Sequence, residues 1–279
     1  MLADAVNQSN SLACSGRQSI KVIYAFNSTG LKAAMKKLAA GNWKMNGSLN
    51  SLSEIQTLAT RHAASAIDIL ICVPAPYLIP AMQLAPPLQI GAQDCHHIQK
   101  GAHTGDISAG MIADTGATYV IVGHSERRAD HNETDALVRQ KALAAQGAGL
   151  CPIICIGETL EERESGEALN VIKEQLTGSL DPALKCASFV IAYEPVWAIG
   201  TGLVPSASQI EEVHGFCRRH LVSEYGSAAV DVPLLYGGSV KGSNAAEIFA
   251  VKDVNGALVG GASLLADDFS AIIDGLENA

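Results

Sequence analysis

The chain has 279 residues, of which 48% are hydrophobic and 17% are charged, so a large core is available and wholesale disorder is excluded. Its formal net charge is −9, whereas a nucleic-acid partner would require a basic surface, so that class of function is disfavoured. No apolar run approaches the ~18 residues of a membrane span. We therefore predict a cytoplasmic protein that binds neither nucleic acid nor membrane.

Residues 1–34 differ in composition from the rest of the chain. They are rich in Ser, Asn and Gln and contain one acidic residue, Asp4. No clear apolar segment with a cleavage site is visible in them, so a secretory signal is not predicted. We expect a dispensable extension, or translation from a start upstream of Met35, and the low acid content leaves an organelle transit peptide as the alternative.

From Leu38 onward, short apolar runs alternate with segments of helical period. Continuous apolar runs favour parallel strands that are buried on both faces. Eight of them alternating with helices predict a closed (β/α)8 barrel, a single α/β domain over residues 35–279, and an open doubly wound sheet is the alternative. The runs are Leu38–Trp43, Ile67–Val73, Gln89–Ala92, Tyr119–Val122, Cys151–Ile156, Phe189–Tyr193, Val232–Tyr236 and Ala257–Val259.

Polar side chains follow the first and fourth runs. In a barrel of this kind chemistry is expected where strands end, at the carboxyl edge. Asn42 and Lys44 stand at alternate positions, so on an extended backbone they point the same way. His124 follows the fourth run, as an acid/base or electrophile or, in the plainer interpretation, as the start of a capped helix.

The sixth run ends in Glu194, which the following proline keeps extended. A carboxylate at this position is the candidate base. The segment Pro195–Gly202 is apolar in its middle and glycine-rich at its end. That composition is typical of a lid that closes over a site, although a loop packed permanently on the rim is the alternative.

Glycine pairs follow the seventh and eighth runs, at Gly237-Gly238 and Gly260-Gly261. Glycine lets backbone N–H groups approach an anion closely, and a following helix start favours negative charge. Tight turns use the same residues, but two pairs at consecutive strand ends favour a phosphate site.

The seven cysteines show no C-x-x-C spacing and fit core thiols in a reducing compartment. The run Cys95-His96-His97 raises the question of a metal, since thiols and imidazoles are transition-metal ligands. No second ligand group accompanies it at metal-binding spacing, so the sequence predicts no metal.

These segments, in this order, resemble the triosephosphate isomerase family over about residues 36–277. The resemblance implies a homodimeric TIM barrel without cofactor or metal that interconverts dihydroxyacetone phosphate and glyceraldehyde 3-phosphate in glycolysis and gluconeogenesis. The resembling segments are Gly41–Gly47, Val122–Arg128, Cys155–Leu160, Ala192–Gly202, Tyr236–Val240 and Val259–Ser263.

The resemblance also implies residue roles. Asn42 and Lys44 would orient and polarise the substrate, His124 would be the electrophile and Glu194 the base. Backbone N–H groups at four positions would bind the phosphate: Gly200, Ser239, Gly260 and Gly261. The lid would consist of Pro195, Val196, Trp197, Ala198, Ile199, Gly200, Thr201 and Gly202. A loop reaching into the partner subunit would carry Thr104 and Asp106.

None of the catalytic positions departs from the family pattern, but four other positions do. Family members commonly have a bulky aromatic residue where His103 stands and a glutamate where Asp106 stands. Lysine is usual at Leu203 and asparagine at Lys241. Two rival functions are another phosphate-binding barrel enzyme and a catalytically inactive relative that serves as a scaffold.

Overall fold

The computed structural model describes residues 37–201 and 203–279. The predicted extension over residues 1–34 and the last lid residue, Gly202, lie outside the described residues. The strands are Leu38–Asn42 (β1), Asp68–Cys72 (β2), Gln89–Ala92 (β3), Tyr119–Val122 (β4), Cys151–Ile156 (β5), Val190–Tyr193 (β6), Leu234–Tyr236 (β7) and Gly256–Val259 (β8). The helices are Leu52–Arg61 (α1), Leu78–Leu84 (α2), Ala109–Asp114 (α3), Ser125–Asp130 (α4), Asp135–Gly147 (α5), Leu160–Glu164 (α6), Ala168–Ser179 (α7), Ala207–Tyr225 (α8), Ala245–Phe249 (α9) and Ala266–Glu277 (α10).

The strands form a closed barrel in sequence order, and each pairs with its neighbours in parallel. Closure depends on β1, where Leu38 stands opposite Asp68 of β2 and Gly256 of β8. The predicted (β/α)8 barrel is confirmed, and the open sheet is wrong because β1 and β8 are paired.

Each predicted run contains most of a strand, and the differences lie at the ends. The seventh strand begins at Leu234 rather than Val232, since Pro233 has no N–H to donate to a ladder. Its carbonyl nevertheless accepts a hydrogen bond from Ile191 N–H at 3.1 Å. The eighth strand begins at Gly256, one residue earlier than the apolar pattern indicated.

Alternation along each strand divides the core into two layers. In β1, Leu38 and Ala40 pack inside the barrel, while Ala39 packs outward with the helices. In β6, Val190 and Ala192 also point inward. The inner layer consists of Leu38, Ala40, Leu70, Cys72, Ile121, Ile153, Cys155, Val190, Ala192, Leu235 and Leu258. A residue that continues an inward row past the carboxyl end of a strand therefore points into the mouth of the barrel.

The surrounding helices follow the predicted pattern, as α8 shows. Ser206 caps it through a reciprocal capping box with Gln209. Four apolar residues at helical spacing are buried on one face: Ile210, Val213, Cys217 and Leu221. Among the described residues, no helix combines the length and the apolar character that crossing a membrane would need.

The pairing of β8 with β1, which closes the barrel, leaves no room for a side chain at Gly256. Its φ is +150°, and a Cβ built there would lie 1.9 Å from the carbonyl oxygen of Leu38 on β1. We expect Gly256→Ala to lower the free energy of unfolding by about 3 kcal/mol, because relieving such overpacking moves the backbone. Thermal unfolding monitored by circular dichroism measures this.

Gly147→Ala is the matched control. Gly147 ends α5, and a Cβ there would meet nothing within 4 Å. That substitution should leave stability unchanged or slightly raised. Equal unfolding temperatures for the two variants would show that the contact of Gly256 with β1 does not require glycine.

Candidate active site

The mouth of the barrel holds two polar residues that continue inward strand rows. Asn42 follows Leu38 and Ala40, and Glu194 follows the inward row of β6. Both are nearly buried, with exposed fractions of 5% and 2%. The strand alternation therefore delivers an amide and a carboxylate to the same mouth of the barrel.

Lys44 reaches the site by a different route from the one predicted. Its φ is +52°, so it lies in a left-handed turn and not on an extended strand, which corrects the prediction from alternation. Its N–H donates to Asn42 Oδ1 at 2.9 Å, and this contact helps to hold a conformation that costs about 1–3 kcal/mol for a residue with a side chain. The ammonium lies 2.5 Å from Glu126 Oε1. A Cβ built on Gly260 would lie 3.4 Å from Lys44 Cε, so the lysine lies beside the second glycine pair.

His124 is positioned by a sharp turn at the end of β4. Gly123 has a φ of +67°, and a Cβ there would lie 2.7 Å from Val138, so glycine is required. His124 then caps α4, and its Nδ1 accepts a hydrogen bond from Glu126 N–H at 3.3 Å. With the lone pair on Nδ1, the proton is on Nε2, which lies 2.8 Å from Glu194 Oε1.

Glu194 has a partner for each carboxylate oxygen. Oε1 faces His124, and Oε2 accepts a hydrogen bond from Ser125 N–H at 2.9 Å. Burial raises the pKa of Glu194, but His124, Ser125 N–H and Lys44 together lower it, and the net pKa lies below the ordinary value. The structure therefore holds a charged carboxylate buried at the mouth of the barrel.

The pKa of His124 moves in the opposite direction. Burial lowers it, but the carboxylates of Glu194 and Glu126 outweigh burial and Lys44, and the net pKa is raised. The Glu126 N–H contact at Nδ1 instead requires a neutral ring. The upward influence depends on Glu194 remaining against the imidazole, so a carboxylate that turns toward substrate leaves the neutral ring favoured.

The predicted lid is attached to the barrel over its first half. Val196–Ala198 forms one 3-10 turn, and Trp197 Nε1 donates to the buried Glu158 Oε1 at 3.0 Å. Ser239 Oγ donates to the Ala198 carbonyl at 3.0 Å. Gly200 and Thr201 are exposed, and Gly200 has a φ of +70°. One end is thus attached and the other is exposed, as a hinged segment requires.

The first glycine pair packs closely against the candidate base. A Cβ on Gly237 would lie 2.9 Å from Glu194 Cγ, and one on Gly238 would lie 2.2 Å from the Tyr236 hydroxyl. A Cβ on Gly261 would meet nothing within 4 Å, which leaves that backbone open. Both predicted phosphate loops therefore border the mouth, one beside Glu194 and the other beside Lys44.

Thr104 and Asp106 lie apart from this group of residues, exposed on the loop between β3 and α3. A cavity of about 600 Å³ opens beside that loop and extends to Met45. Sequence reasoning assigned no role to Ser125, Glu126 or Glu158. The available signal was their position, since each follows a strand end in the segments that carry the resemblance.

Comparison with known proteins gives one answer. The family model described as triosephosphate isomerase matches residues 37–276. A triosephosphate isomerase of Ruegeria sp. (strain TM1040) is 58% identical over 241 residues, which cover 86% of this chain and 98% of the relative. One from Rhizobium meliloti (strain 1021) is 55% identical over 243 residues, covering 85% and 95%. The crystal structure of triosephosphate isomerase from Bartonella henselae superposes with a TM-score of 0.81 at 45% identity, covering 86% of this chain and 98% of that one.

The electrostatics of the pair give a pH prediction. His124→Gln removes the imidazole that faces Glu194 Oε1 and opposes the effect of burial on the carboxylate. The pKa of Glu194 should therefore rise, because only Ser125 N–H and Lys44 then counter the desolvation. A 13C NMR titration of labelled glutamate carboxyl groups measures this, with the Glu194 signal assigned by its loss in Glu194→Gln.

Exposed glutamates in the same spectra are the internal control and should titrate alike in both proteins. An unchanged or lower pKa of Glu194 in His124→Gln would contradict the proposed coupling of the two groups.

Proposed function

The chain belongs to the triosephosphate isomerase family, and we propose which of its residues move the proton. It is an isomerase that interconverts dihydroxyacetone phosphate and D-glyceraldehyde 3-phosphate, a step of glycolysis and gluconeogenesis. One observation carries the residue assignment: the buried, charged carboxylate of Glu194 lies 2.8 Å from His124 Nε2 at the mouth of the barrel.

In the proposed mechanism Glu194 removes the proton from the carbon next to the substrate carbonyl and returns it to the neighbouring carbon. A carboxylate is too weak a base to do this quickly unless the enediolate oxygen is stabilised as its charge develops. Lys44 supplies a cation for that oxygen, His124 a hydrogen bond, and Asn42 orients the substrate.

The contact between Glu194 and His124 has a direct use in this scheme. In the free enzyme Nε2–H is donated to Glu194 Oε1. When the carboxylate turns toward the substrate carbon, that donor becomes available to the substrate oxygen. The ring then loses the carboxylate that raises its pKa, which favours the neutral imidazole as the hydrogen-bond donor.

The phosphate of the substrate would be bound mainly by uncharged donors. We assign it to the backbone N–H groups of Gly200, Ser239, Gly260 and Gly261, with Lys44 beside Gly260. This arrangement explains how a chain of net charge −9 attracts an anion, because the attraction is local.

Closure of Pro195–Gly202 would complete the site. An enediolate can expel its phosphate, and a closed lid excludes water and holds the phosphate in a geometry that disfavours elimination. The attached half of the segment, through Trp197 and Ala198, supports a hinge at its first residues. The scheme uses only side chains and backbone N–H groups and requires no cofactor.

We further propose that the enzyme is a homodimer. Met45, next to Lys44, is 97% exposed, which is unusual for a large apolar side chain beside a catalytic group. The loop that carries Thr104 and Asp106 projects next to a cavity of about 600 Å³. A second copy would cover Met45 and insert its own Thr104 loop into this cavity.

We also propose a cellular location for the protein and the limits of its catalytic unit. All cysteines in the described part of the chain are free, which supports a cytoplasmic, reducing location. The family match begins at residue 37, which supports residues 35–279 as the catalytic unit. On this proposal residues 1–34 are not needed for folding.

The base assignment is tested by Glu194→Gln. Turnover should fall by about a thousandfold, since the amide cannot accept the proton, while the fold is retained. Glu211→Gln, an exposed change on α8, is the matched control and should keep full activity. An isomerase assay coupled to a dehydrogenase measures both, and near-normal turnover in Glu194→Gln would rule out the assignment.

The dimer is tested by Met45→Asp. A buried charge at the interface should raise the dimer dissociation constant at least about a hundredfold, as for other central interface positions. Leu160→Asp, at an exposed apolar position on α6, is the control and should leave assembly unchanged. Analytical ultracentrifugation separates the outcomes, and a monomeric wild-type protein would contradict the proposal.

The extent of the catalytic unit is tested by starting the chain at Met35. The shortened protein should fold and keep the isomerase activity of the full chain, measured side by side at equal concentration. Loss of folding on removal of residues 1–34 would show that the extension belongs to the domain.

A further inference from the structure

We propose that Gln175, a half-buried residue of α7, is a positioning residue for the base Glu194 and acts through the backbone of Gly157. Gln175 does not touch the mouth of the barrel, and no motif in the sequence singles it out. The inference rests on the proposed role of Glu194 in proton transfer and adds a residue that determines where its carboxylate stands.

The side-chain amide of Gln175 binds both backbone polar groups of one residue. Its Oε1 accepts a hydrogen bond from Gly157 N–H at 2.7 Å, and its Nε2 donates to the Gly157 carbonyl at 2.9 Å. The amide therefore engages Gly157 as the backbone of a neighbouring strand would. Two bonds from one planar group fix the orientation of that backbone as well as its position.

Gly157 needs these partners because β4 no longer runs beside it. The last paired residues of the two strands are Val122 and Ile154. Gly123, with a φ of +67°, then turns the chain away from the sheet. Backbone groups inside a packed fold require hydrogen-bond partners. Gln175 supplies those that the turn of β4 removes, and it does so at the end of β5.

The backbone of Gly157 lies directly against Glu194. A Cβ built on Gly157 would lie 1.7 Å from the Glu194 carbonyl oxygen and 3.2 Å from its Cβ. The residues on either side of Gly157 continue the ladder: Glu194 N–H donates to the Ile156 carbonyl at 2.7 Å, and Val196 N–H donates to the Glu158 carbonyl at 3.0 Å. A displacement of Gly157 is therefore passed to Glu194 with no flexible side chain between them.

The carboxylate depends on that backbone as the fixed point of its movement. In the free enzyme it lies between His124 Nε2, at 2.8 Å, and Ser125 N–H, at 2.9 Å. In the proposed mechanism it turns from this position toward the substrate carbon. A misplacement of about 1 Å in a reacting group can cost about a hundredfold in rate. The position of the Glu194 backbone should therefore affect the rate of proton transfer.

Substrate binding should depend much less on Gln175. Three of the four backbone donors proposed for the phosphate, at Ser239, Gly260 and Gly261, lie after β7 and β8, away from Gly157. An interaction that serves the transition state alone lowers kcat when it is lost and leaves KM unchanged. This split between kcat and KM distinguishes positioning of the base from general damage to the site.

Gln175→Met tests the role by removing both hydrogen bonds while keeping a side chain of similar length. We expect kcat to fall at least about tenfold. The KM and the inhibition constant of glycerol 3-phosphate, which binds without reacting, should stay within about threefold of wild type. The isomerase assay coupled to a dehydrogenase measures all three quantities.

Arg139→Met is the matched control for a loosened helix. Arg139 donates to the carbonyls of Thr177 at 2.7 Å and Gly178 at 2.9 Å, which lie at the end of the same helix, α7. The substitution should lower the unfolding temperature without changing the contact between Gln175 and Gly157. Its kcat should equal that of the wild type.

Gln175→Glu gives a signature in the pH profile. An ionised carboxylate has no hydrogen to donate and would repel the Gly157 carbonyl, whereas a protonated carboxyl offers one donor and one acceptor, as the amide does. The kcat of this variant, divided by that of the wild type at each pH, should rise as the pH falls through the pKa of the introduced carboxyl. A residue that only stabilised the fold would not produce this recovery in the folded enzyme.

Three results would overturn the proposal: wild-type kcat in Gln175→Met, an equal loss of kcat in Arg139→Met, or no rise of the ratio for Gln175→Glu at low pH. If Gln175→Met does not fold, the profile of Gln175→Glu decides. Glu194→Gln, assayed alongside, separates the two proposals. Normal turnover in Glu194→Gln would remove the base assignment itself, whereas lost turnover there with full activity in Gln175→Met would remove only the positioning role.

Discussion

The hydrogen bond between His124 and Glu194 is the contact on which the active site depends. A carboxylate taken out of water is strongly disfavoured unless it is paired and hydrogen-bonded. Here His124 Nε2 and Ser125 N–H occupy both oxygens, and the pKa of Glu194 stays below its ordinary value despite burial. The fold can therefore keep a buried carboxylate charged, and so able to accept a proton, at the mouth of the barrel.

The barrel supplies that geometry through close backbone approach. A Cβ built on Gly157 would lie 1.7 Å from the carbonyl oxygen of Glu194. The Glu194 N–H donates to the carbonyl oxygen of Ile156 at 2.7 Å. Gly123 turns the chain so that His124 begins a helix facing the same point. Catalytic groups from separate strands meet because parallel strands all end at one edge of the barrel.

Much of this could be predicted from the sequence, and the rest depended on contacts distant in sequence. The apolar runs were sufficient for the barrel and, with Pro195, for the place of Glu194 at the end of a strand, because both follow from local sequence. The left-handed turn at Lys44 and its ion pair with Glu126 have no local pattern and arise from tertiary packing.

Hydrogen exchange at the substrate carbon tests the role of Glu194 most directly. In D2O the wild-type enzyme should place deuterium on the carbon next to the carbonyl of dihydroxyacetone phosphate, because the proton held by the carboxylate exchanges with solvent. Glu194→Gln should still bind this substrate but should show no exchange. Exchange at the wild-type rate in Glu194→Gln would contradict the account, since another group would then be the base.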